Sequence, residues 1–183
     1  MLSPADADQI ILVDENNRAL GCADKQAVHR SGLLHRAFSV FLCDAEGRVL
    51  LQQRHASKYH SGGLWANSCC GHPRIRERTK AAARRRVSEE LGVHVDLTLG
   101  FRTRYRTSFA NGLHENEIVY VYFARLDEPT DPDPSEIADL RFVSLSEIAE
   151  DARREPEVYA YWFRHYVERH FDEIADWVDK VSS

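Results

Sequence analysis

Residues 71–93 read GHPRIRERTKAAARRRVSEELGV, and this stretch decides the fold prediction. Within it, residues 79–91 contain neither glycine nor proline, and Gly92 follows at a position where helices commonly end. Apolar side chains recur there every four residues, at Ala83, Val87 and Leu91. The pattern therefore predicts a helix over residues 79–91 that ends at Gly92.

Strand patterns lie on both sides of this helix. Apolar runs or alternating apolar residues occupy residues 10–13, 37–43, 48–53, 93–101, 115–124 and 140–143. Residues 127–134 carry three prolines and predict a surface loop, Ser144 to Glu147 reads as a capping box, and residues 157–177 read as helical. We expect an α/β (α+β) fold with a mixed sheet between helices, in one domain spanning residues 1–183.

Composition excludes several classes of protein. Of the 183 residues 43% are hydrophobic, and the formal net charge is -5, which argues against a general nucleic-acid binder. No apolar run is long enough to span a bilayer, and the first nine residues, MLSPADADQ, lack the pattern of an export signal. Four cysteines, at positions 22, 43, 69 and 70, show no CxxC spacing. These features predict a cytoplasmic protein without disulfides or membrane contact.

Two cysteines stand side by side in residues 67–73, NSCCGHP. If residues 66–72 are extended, Ser68, Cys70 and His72 share one face, and Cys69 points to the other. Cys70 is then the candidate for chemistry beside an imidazole, and Cys69 is a packing residue. The alternative is that both cysteines are ordinary buried thiols.

Two carboxylates begin the strand pattern HENEIVYVYF at residues 114–123. Alternation places Glu115 and Glu117 on the face that continues through Val119, Val121 and Phe123. Carboxylates on a core face need a cation or a proton between them, unless the strand end frays into water. His29, His35 and His72 are candidates to complete a set of three nitrogens and two carboxylates, which suits Mg²⁺, Mn²⁺ or Zn²⁺. The remaining histidines are expected to be surface or packing residues: His55, His60, His94, His114, His165 and His170.

The stretch from Gly71 also fits the pattern G-x5-E-x7-R-E-U-x-E-E-x-G-U, where U is a bulky aliphatic residue. The matches are Gly71, Glu77, Arg85, Val87, Glu89, Glu90, Gly92 and Val93, and the one mismatch is Arg86, where the pattern has Glu. This segment resembles the Nudix box, which brings acidic groups to a metal-bound diphosphate. Arg86 and Glu90 lie on one helix face, so a guanidinium can meet phosphate beside a metal-binding carboxylate. A cation in place of one glutamate preserves diphosphate binding and weakens the metal cluster that hydrolysis needs.

Further segments together resemble type I isopentenyl-diphosphate isomerases. They are DKQAVH (24–29), LLHRAFSVFL (33–42), LLQQRHASK (50–58), WANSCCGHP (65–73), ENE (115–117) and Trp162 within YAYWF. The resemblance covers roughly residues 10–162. It implies a metal-dependent enzyme of isoprenoid precursor biosynthesis that interconverts isopentenyl and dimethylallyl diphosphates through a tertiary carbocation. The expected partner is therefore a small homoallylic or allylic diphosphate.

The resemblance also assigns roles to individual residues. Cys70, Glu117 and Tyr105 correspond to the catalytic groups, and His29, His35, His72, Glu115 and Glu117 correspond to the metal ligands. Lys25, Arg54, Lys58 and Arg86 correspond to the diphosphate-binding side chains, and Glu90 would meet a second ion, Mg²⁺, that the substrate phosphates hold. Trp162 offers a π face to the carbocation, although core packing is its ordinary role. Without the resemblance, the four basic residues would read as solvated charges.

Two other functions fit part of this pattern. A Nudix pyrophosphohydrolase would release phosphate and would have little need of Cys70. A diphosphate-binding module without catalytic activity would bind the ligand tightly and leave it unchanged.

Overall fold

A nine-stranded mixed sheet forms the centre of the fold. Its strands are β1 (Gln9–Val13), β2 (Ala19–Asp24), β3 (His35–Cys43), β4 (Val49–Arg54), β5 (Trp65–Asn67), β6 (Cys69–Gly71), β7 (Thr98–Ser108), β8 (His114–Arg125) and β9 (Ile137–Val143). The helices are α1 (Lys25–Ser31), α2 (Thr79–Leu91), α3 (Leu145–Arg154), α4 (Tyr161–Arg169) and α5 (Phe171–Ser182), with a short 3-10 helix at Pro156–Val158. The computed structural model describes residues 9–183, so the predicted lack of an export signal falls on residues outside this range.

Strand β3 organises the sheet. It pairs antiparallel with β1, β4 and β6, and it pairs parallel with β8 over its whole length. The β3–β8 register sets His35 opposite Glu117, and the β3–β6 register sets Ser39 opposite Cys70. The antiparallel β7–β8 register sets Tyr105 opposite Glu117. These three pairings bring distant parts of the chain to one place in the sheet.

Both faces of the sheet are covered. Side chains of β3 alternate between two cores, with Ala37 and Phe41 in one and Phe38 and Val40 in the other. Helices α3, α4 and α5 supply side chains to the first core. Helix α2 supplies Ala82, Ala83, Val87 and Leu91 to the second, which is called the α2 core below. The predicted fold class, a mixed sheet between helices, is confirmed.

Local signals in the sequence account for several helix ends. Helix α2 begins and ends where predicted, and Gly92 stops it in the left-handed conformation at φ 71°. Ser144 and Glu147 form the predicted capping box at the start of α3. None of the helices in residues 9–183 is long and apolar enough to cross a membrane.

Two predicted elements were wrong in extent. Residues 93–97 are not part of a strand, because Val93 and Leu97 are buried in the α2 core by an irregular segment before β7. The predicted helix over residues 157–177 starts only at Tyr161, after the 3-10 helix and an extended segment at residues 159–160. It is also interrupted at His170, whose backbone (φ −133°, ψ 26°) ends α4 and precedes α5. Strand β2 and helix α1 were not predicted.

Candidate active site

One cavity of about 340 Å³ collects most of the predicted site residues. Its walls include Lys25, Arg54, Lys58, Cys70, His72, Tyr105, Arg86, Glu90, Glu115, Glu117 and Trp162. His29 and His35 do not line it and are fully buried, but their side chains approach the two glutamates. The sequence therefore identified a set of residues that converge on one place.

The first cluster in this cavity joins His35, His72 and Glu117. The Nε2 atoms of the two histidines lie 3.2 Å apart, and they approach Glu117 Oε1 to 3.1 and 2.8 Å. Nδ1 of His35 faces the carbonyl oxygen of Leu33 at 2.8 Å and must donate to it, which leaves Nε2 available as a ligand atom. Two ring nitrogens facing each other beside a carboxylate are typical of side chains that surround a cation.

His29 extends this cluster from helix α1. The helix begins after Asp24, whose side chain accepts a hydrogen bond from the backbone of Ala27. Nδ1 of His29 donates to the carbonyl oxygen of Lys25 at 2.6 Å, so Nε2 carries a lone pair. This Nε2 is buried without a hydrogen-bond partner, although it lies 3.9 Å from Glu115 Oε1. A metal ion would satisfy it, so the residues fit a divalent cation.

Tyr105 connects the two glutamates. Its hydroxyl lies 2.5 Å from Glu115 Oε2 and 2.7 Å from Glu117 Oε2, and all three side chains are buried. The phenol has a single proton to donate, so two carboxylate anions here need a further positive charge. His29, His35, His72 and Glu117 offer ligand atoms within 4.8 Å of one another, and this cluster can hold a metal ion.

The pKa values of His72, His35 and Glu117 shift in different directions within this cluster. Burial lowers the pKa of His72 to about 3, so that imidazole is neutral at neutral pH. Burial also opposes charge on His35, but the hydrogen bond with Glu117, the negative charges of Glu117 and Glu115 and the Leu33 carbonyl together outweigh burial and raise the pKa. For Glu117, burial would raise the pKa, and the hydrogen bonds from His35 and His72 hold it well below its usual range. Glu117 is therefore a carboxylate in this environment.

The two adjacent cysteines face opposite sides of the sheet. Cys70 lines the cavity, and Cys69 is fully buried in the α2 core. Burial raises the pKa of Cys70 to about 12, although a hydrogen bond from Ser39 would favour the thiolate. Cys70 is thus a protonated thiol at neutral pH, which suits an acid that receives its proton back.

Basic side chains gather along another part of the cavity wall. Arg86 contacts Glu90 and lies 3.2 Å from Glu136, which also contacts Lys58. Burial lowers the pKa of Lys58 to about 8, with further lowering by Arg54 and Arg86. Several cationic side chains this close together favour the binding of a multiply charged anion such as a diphosphate.

Aromatic rings border the same space. Trp162 is buried, belongs to the first core and also lines the cavity. The Arg54 guanidinium lies 5.2 Å from its ring centre, and the Lys25 ammonium lies 4.9 Å from the ring centre of Tyr59. These rings present π faces within a partly enclosed pocket.

Several residues of this site were not predicted. His60, expected at the surface or in packing, is buried and stacks on Phe109, and its Nε2 also lies 3.0 Å from Glu115 Oε1. Glu136, Ser39 and Tyr166 also line the cavity. In the sequence, the one indication that His60 belongs to this site is its position two residues after Lys58, in KYHSGG.

Comparison with known proteins first defines the class. Residues 33–166 match the family model described as the NUDIX domain. Among solved structures, the DR0079 protein of Deinococcus radiodurans has a TM-score of 0.71 at 19% identity, covering 88% of this chain and 98% of that one. This structural similarity shows that the fold is shared.

Relatives at higher identity define the family more narrowly. The chain is 46% identical over 162 residues to isopentenyl-diphosphate Delta-isomerase 2 of Aromatoleum aromaticum, covering 88% of this chain and 86% of that protein. It is 44% identical to the isopentenyl-diphosphate Delta-isomerase of Burkholderia multivorans, covering 88% of this chain and 92% of that one. The chain therefore belongs to the isopentenyl-diphosphate Delta-isomerase family of NUDIX-domain proteins, and the expected resemblance is confirmed.

Proposed function

We propose that this chain interconverts isopentenyl diphosphate and dimethylallyl diphosphate, a step that supplies isoprenoid precursors. The observation that carries the proposal is that the Cys70 thiol and the Glu117 carboxylate line one cavity whose wall also carries Arg54, Lys58 and Arg86. The names of the relatives at 44–46% identity support the same reaction. An acid, a base and an anion site in one pocket match what this isomerisation needs.

The reaction moves one double bond by exchanging two protons. A proton joins the terminal methylene carbon of isopentenyl diphosphate, which leaves a tertiary carbocation at the branched carbon. A proton then leaves the neighbouring methylene carbon, and its bonding electrons form the internal double bond. The two protons need separate groups on opposite sides of the substrate. We assign these groups to Cys70 and Glu117, and the direction of the reaction decides which of them donates first.

Tyr105 is the third catalytic group of the proposal. Its hydroxyl donates a hydrogen bond to the Glu117 carboxylate at 2.7 Å. A hydrogen bond to the charged form makes the carboxylate a weaker base, which assists the step in which its protonated form donates. Tyr105 therefore adjusts the acidity of the Glu117 carboxyl group.

The metal centre of the proposal consists of His29, His35, His72, Glu115 and Glu117, and it would hold Mn²⁺, Mg²⁺ or Zn²⁺. When bound, such a cation makes the Glu117 carboxyl group more acidic. The buried and unpartnered Nε2 of His29 supports this assignment.

The diphosphate end of the substrate would contact Lys25, Arg54, Lys58 and Arg86. Arg86 and Lys58 share the carboxylate of Glu136, and a diphosphate would replace this carboxylate as their counter-ion. Glu90, which contacts Arg86, would meet Mg²⁺ that arrives with the substrate. Trp162 would face the carbocation and stabilise it by cation–π attraction in a pocket shielded from water.

Two wider assignments belong to the same proposal. We infer one domain over residues 1–183, and the single sheet with helices on both faces supports it. We also infer a cytoplasmic location, and the four free thiols at Cys22, Cys43, Cys69 and Cys70 support a reducing compartment.

One incubation separates this function from its two alternatives. The protein is mixed with isopentenyl diphosphate and Mg²⁺, and the products are tested for an acid-labile allylic diphosphate and for free phosphate. Allylic product without phosphate supports the isomerase. Phosphate release would indicate a Nudix pyrophosphohydrolase, and tight binding without either product would indicate a binding module.

A further inference from the structure

Asn67, at the end of β5, faces the Cys70 thiol with an amide whose orientation is fixed. The side chain is fully buried, and its Nδ2 donates hydrogen bonds to the carbonyl oxygens of Val40 and Cys69 at 3.0 and 3.1 Å. Carbonyl oxygens can only accept, so the amide nitrogen must face them and Oδ1 must face the other way. Oδ1 lies 3.2 Å from the Cys70 sulfur. The amide therefore offers the sulfur an acceptor and no donor.

This contact gives the S–H bond of Cys70 a direction. An amide oxygen and a sulfur at this distance need a hydrogen between them, and the thiol is the group of the pair that carries one. Without it, two buried atoms would turn lone pairs toward each other, which is unfavourable. The thiol hydrogen thus points toward Asn67, and the sulfur keeps lone pairs for a partner on another side.

That partner is a pair of hydroxyl groups. Ser39 Oγ lies 3.3 Å from the Cys70 sulfur and 2.9 Å from the Tyr166 hydroxyl. Within residues 9–183, Ser39 is the one hydrogen-bond partner of the Tyr166 hydroxyl, and the Tyr166 side chain is buried. A buried phenol whose hydrogen meets no acceptor is costly, so Tyr166 donates to Ser39. The hydrogen of Ser39 is then available to the sulfur.

The reverse direction of these bonds fits the same atoms less well. If Ser39 donated to Tyr166, the phenol hydrogen would find no acceptor in the described part of the chain, and the sulfur would lose its donor. With Tyr166 as the first donor, each polar hydrogen meets an acceptor, from Tyr166 to Ser39, from Ser39 to Cys70 and from Cys70 to Asn67. Hydrogen bonds that run in one direction also polarise and strengthen one another.

We propose that Asn67 and Tyr166 are positioning residues for the Cys70 thiol, at the two ends of a directed chain of hydrogen bonds that passes through Ser39. The inference rests on the proposed function, in which Cys70 carries a proton. Asn67 holds the thiol hydrogen in one orientation before the substrate binds. Ser39, held by Tyr166, already points its hydrogen at the sulfur when the thiol hydrogen leaves, so proton transfer requires no rearrangement of the surrounding side chains.

Infrared spectroscopy of the full chain tests the acceptor end, because the S–H stretching band moves to lower frequency when a thiol donates a hydrogen bond. The band of Cys70 is the one that disappears in Cys70→Ala. We expect it to lie below the band of an alkanethiol in an apolar solvent, and to move up in Asn67→Leu, whose side chain is of similar size but has no acceptor. Asn16→Leu, at an exposed position, is the matched control and leaves the band in place.

Steady-state kinetics test the donor end. Tyr166→Phe keeps the ring and removes the hydroxyl, so we expect kcat to fall about 2- to 10-fold with KM unchanged, as for the loss of one neutral hydrogen bond. In a Ser39→Ala protein the same substitution should have no further effect, because Tyr166 acts through Ser39. Tyr161→Phe, on the same helix at the edge of the first core, is the matched control and keeps the wild-type kcat.

A Cys70 band at the frequency of the free thiol in the wild type would overturn the proposal. An unchanged kcat in Tyr166→Phe would do the same, as would effects of Ser39→Ala and Tyr166→Phe that add in the double variant. If Asn67→Leu does not fold, the wild-type band decides the acceptor end alone. Isomerisation by the wild type is assayed separately. A low-frequency band without isomerisation would sink the proposed function and leave the chain of hydrogen bonds standing.

Discussion

The hydroxyl oxygen of Ser39 lies 3.3 Å from the sulfur of Cys70. The β3–β6 register sets these residues opposite each other, and the Tyr166 hydroxyl continues the chain at 2.9 Å from Ser39. The Cys70 thiol also reaches the side-chain oxygen of Asn67 at 3.2 Å. The sulfur is thus held by fixed polar partners, and Ser39 can donate to it once the thiol has lost its proton.

Removing this hydroxyl should slow turnover without weakening substrate binding. A hydrogen bond to a charged group contributes about 1.5–3 kcal/mol, so we expect kcat of Ser39→Ala to fall about 10- to 100-fold. KM should change little, because Ser39 makes no contact with the basic side chains assigned to the diphosphate. Steady-state kinetics measure both constants, and Ser108→Ala, at an exposed position of β7, serves as the control. An unchanged kcat in Ser39→Ala would show that the thiolate does not need this donor.

The adjacent cysteines should differ sharply when each is replaced. Cys70→Ala removes the proposed proton carrier, so we expect isomerisation to fall below detection while the fold is retained. Cys69→Ala removes a small side chain from the α2 core, so we expect a loss of about 1–2 kcal/mol in the free energy of unfolding and most of the activity retained. Activity assays and urea unfolding separate the two effects. Equal activity of the two variants would exclude Cys70 as the catalytic thiol.

The reactivity of Cys70 toward an alkylating agent should rise with pH. Burial disfavours the thiolate and raises the pKa of Cys70 to about 12. Below that pKa the thiolate fraction grows tenfold with each pH unit, so the alkylation rate should follow the same slope from pH 7 to 10. The measurement uses a Cys22→Ser background, because Cys22 is exposed, and peptide mass spectrometry locates the label. A plateau near pH 7 would reveal a stable thiolate and contradict the role of a protonated acid.

Local patterns were enough to predict part of this molecule. The period of apolar residues and the glycine at position 92 fixed α2, and strand parity separated Cys70 from Cys69. Both signals depend on neighbouring residues alone. The resemblance to a family then supplied residues that parity could not, such as Tyr105, which lines the same cavity.

Other features depend on contacts between distant segments. His35 and Glu117 are 82 positions apart, and they pair through the parallel register of β3 and β8, which neither strand encodes alone. His60 lies in an irregular segment without a period, so its direction is set by Phe109 and Trp162. The break at His170 escaped prediction because apolar residues continue across it into α5.

Arg86 provides the last prediction, because it stands where the Nudix pattern has glutamate. Arg86→Glu would place a fourth carboxylate beside Glu89, Glu90 and Glu136 and remove a cation from the diphosphate end of the cavity. Charge-assisted hydrogen bonds of this kind contribute about 1.5–3 kcal/mol, so we expect KM for isopentenyl diphosphate to rise about 100-fold. Arg84→Glu, an exposed position on the same helix, should leave KM unchanged. Steady-state kinetics measure KM, and a phosphate assay detects hydrolysis. An unchanged KM in Arg86→Glu would remove Arg86 from the anion site, and new phosphate release would show that this one residue separates isomerase from hydrolase.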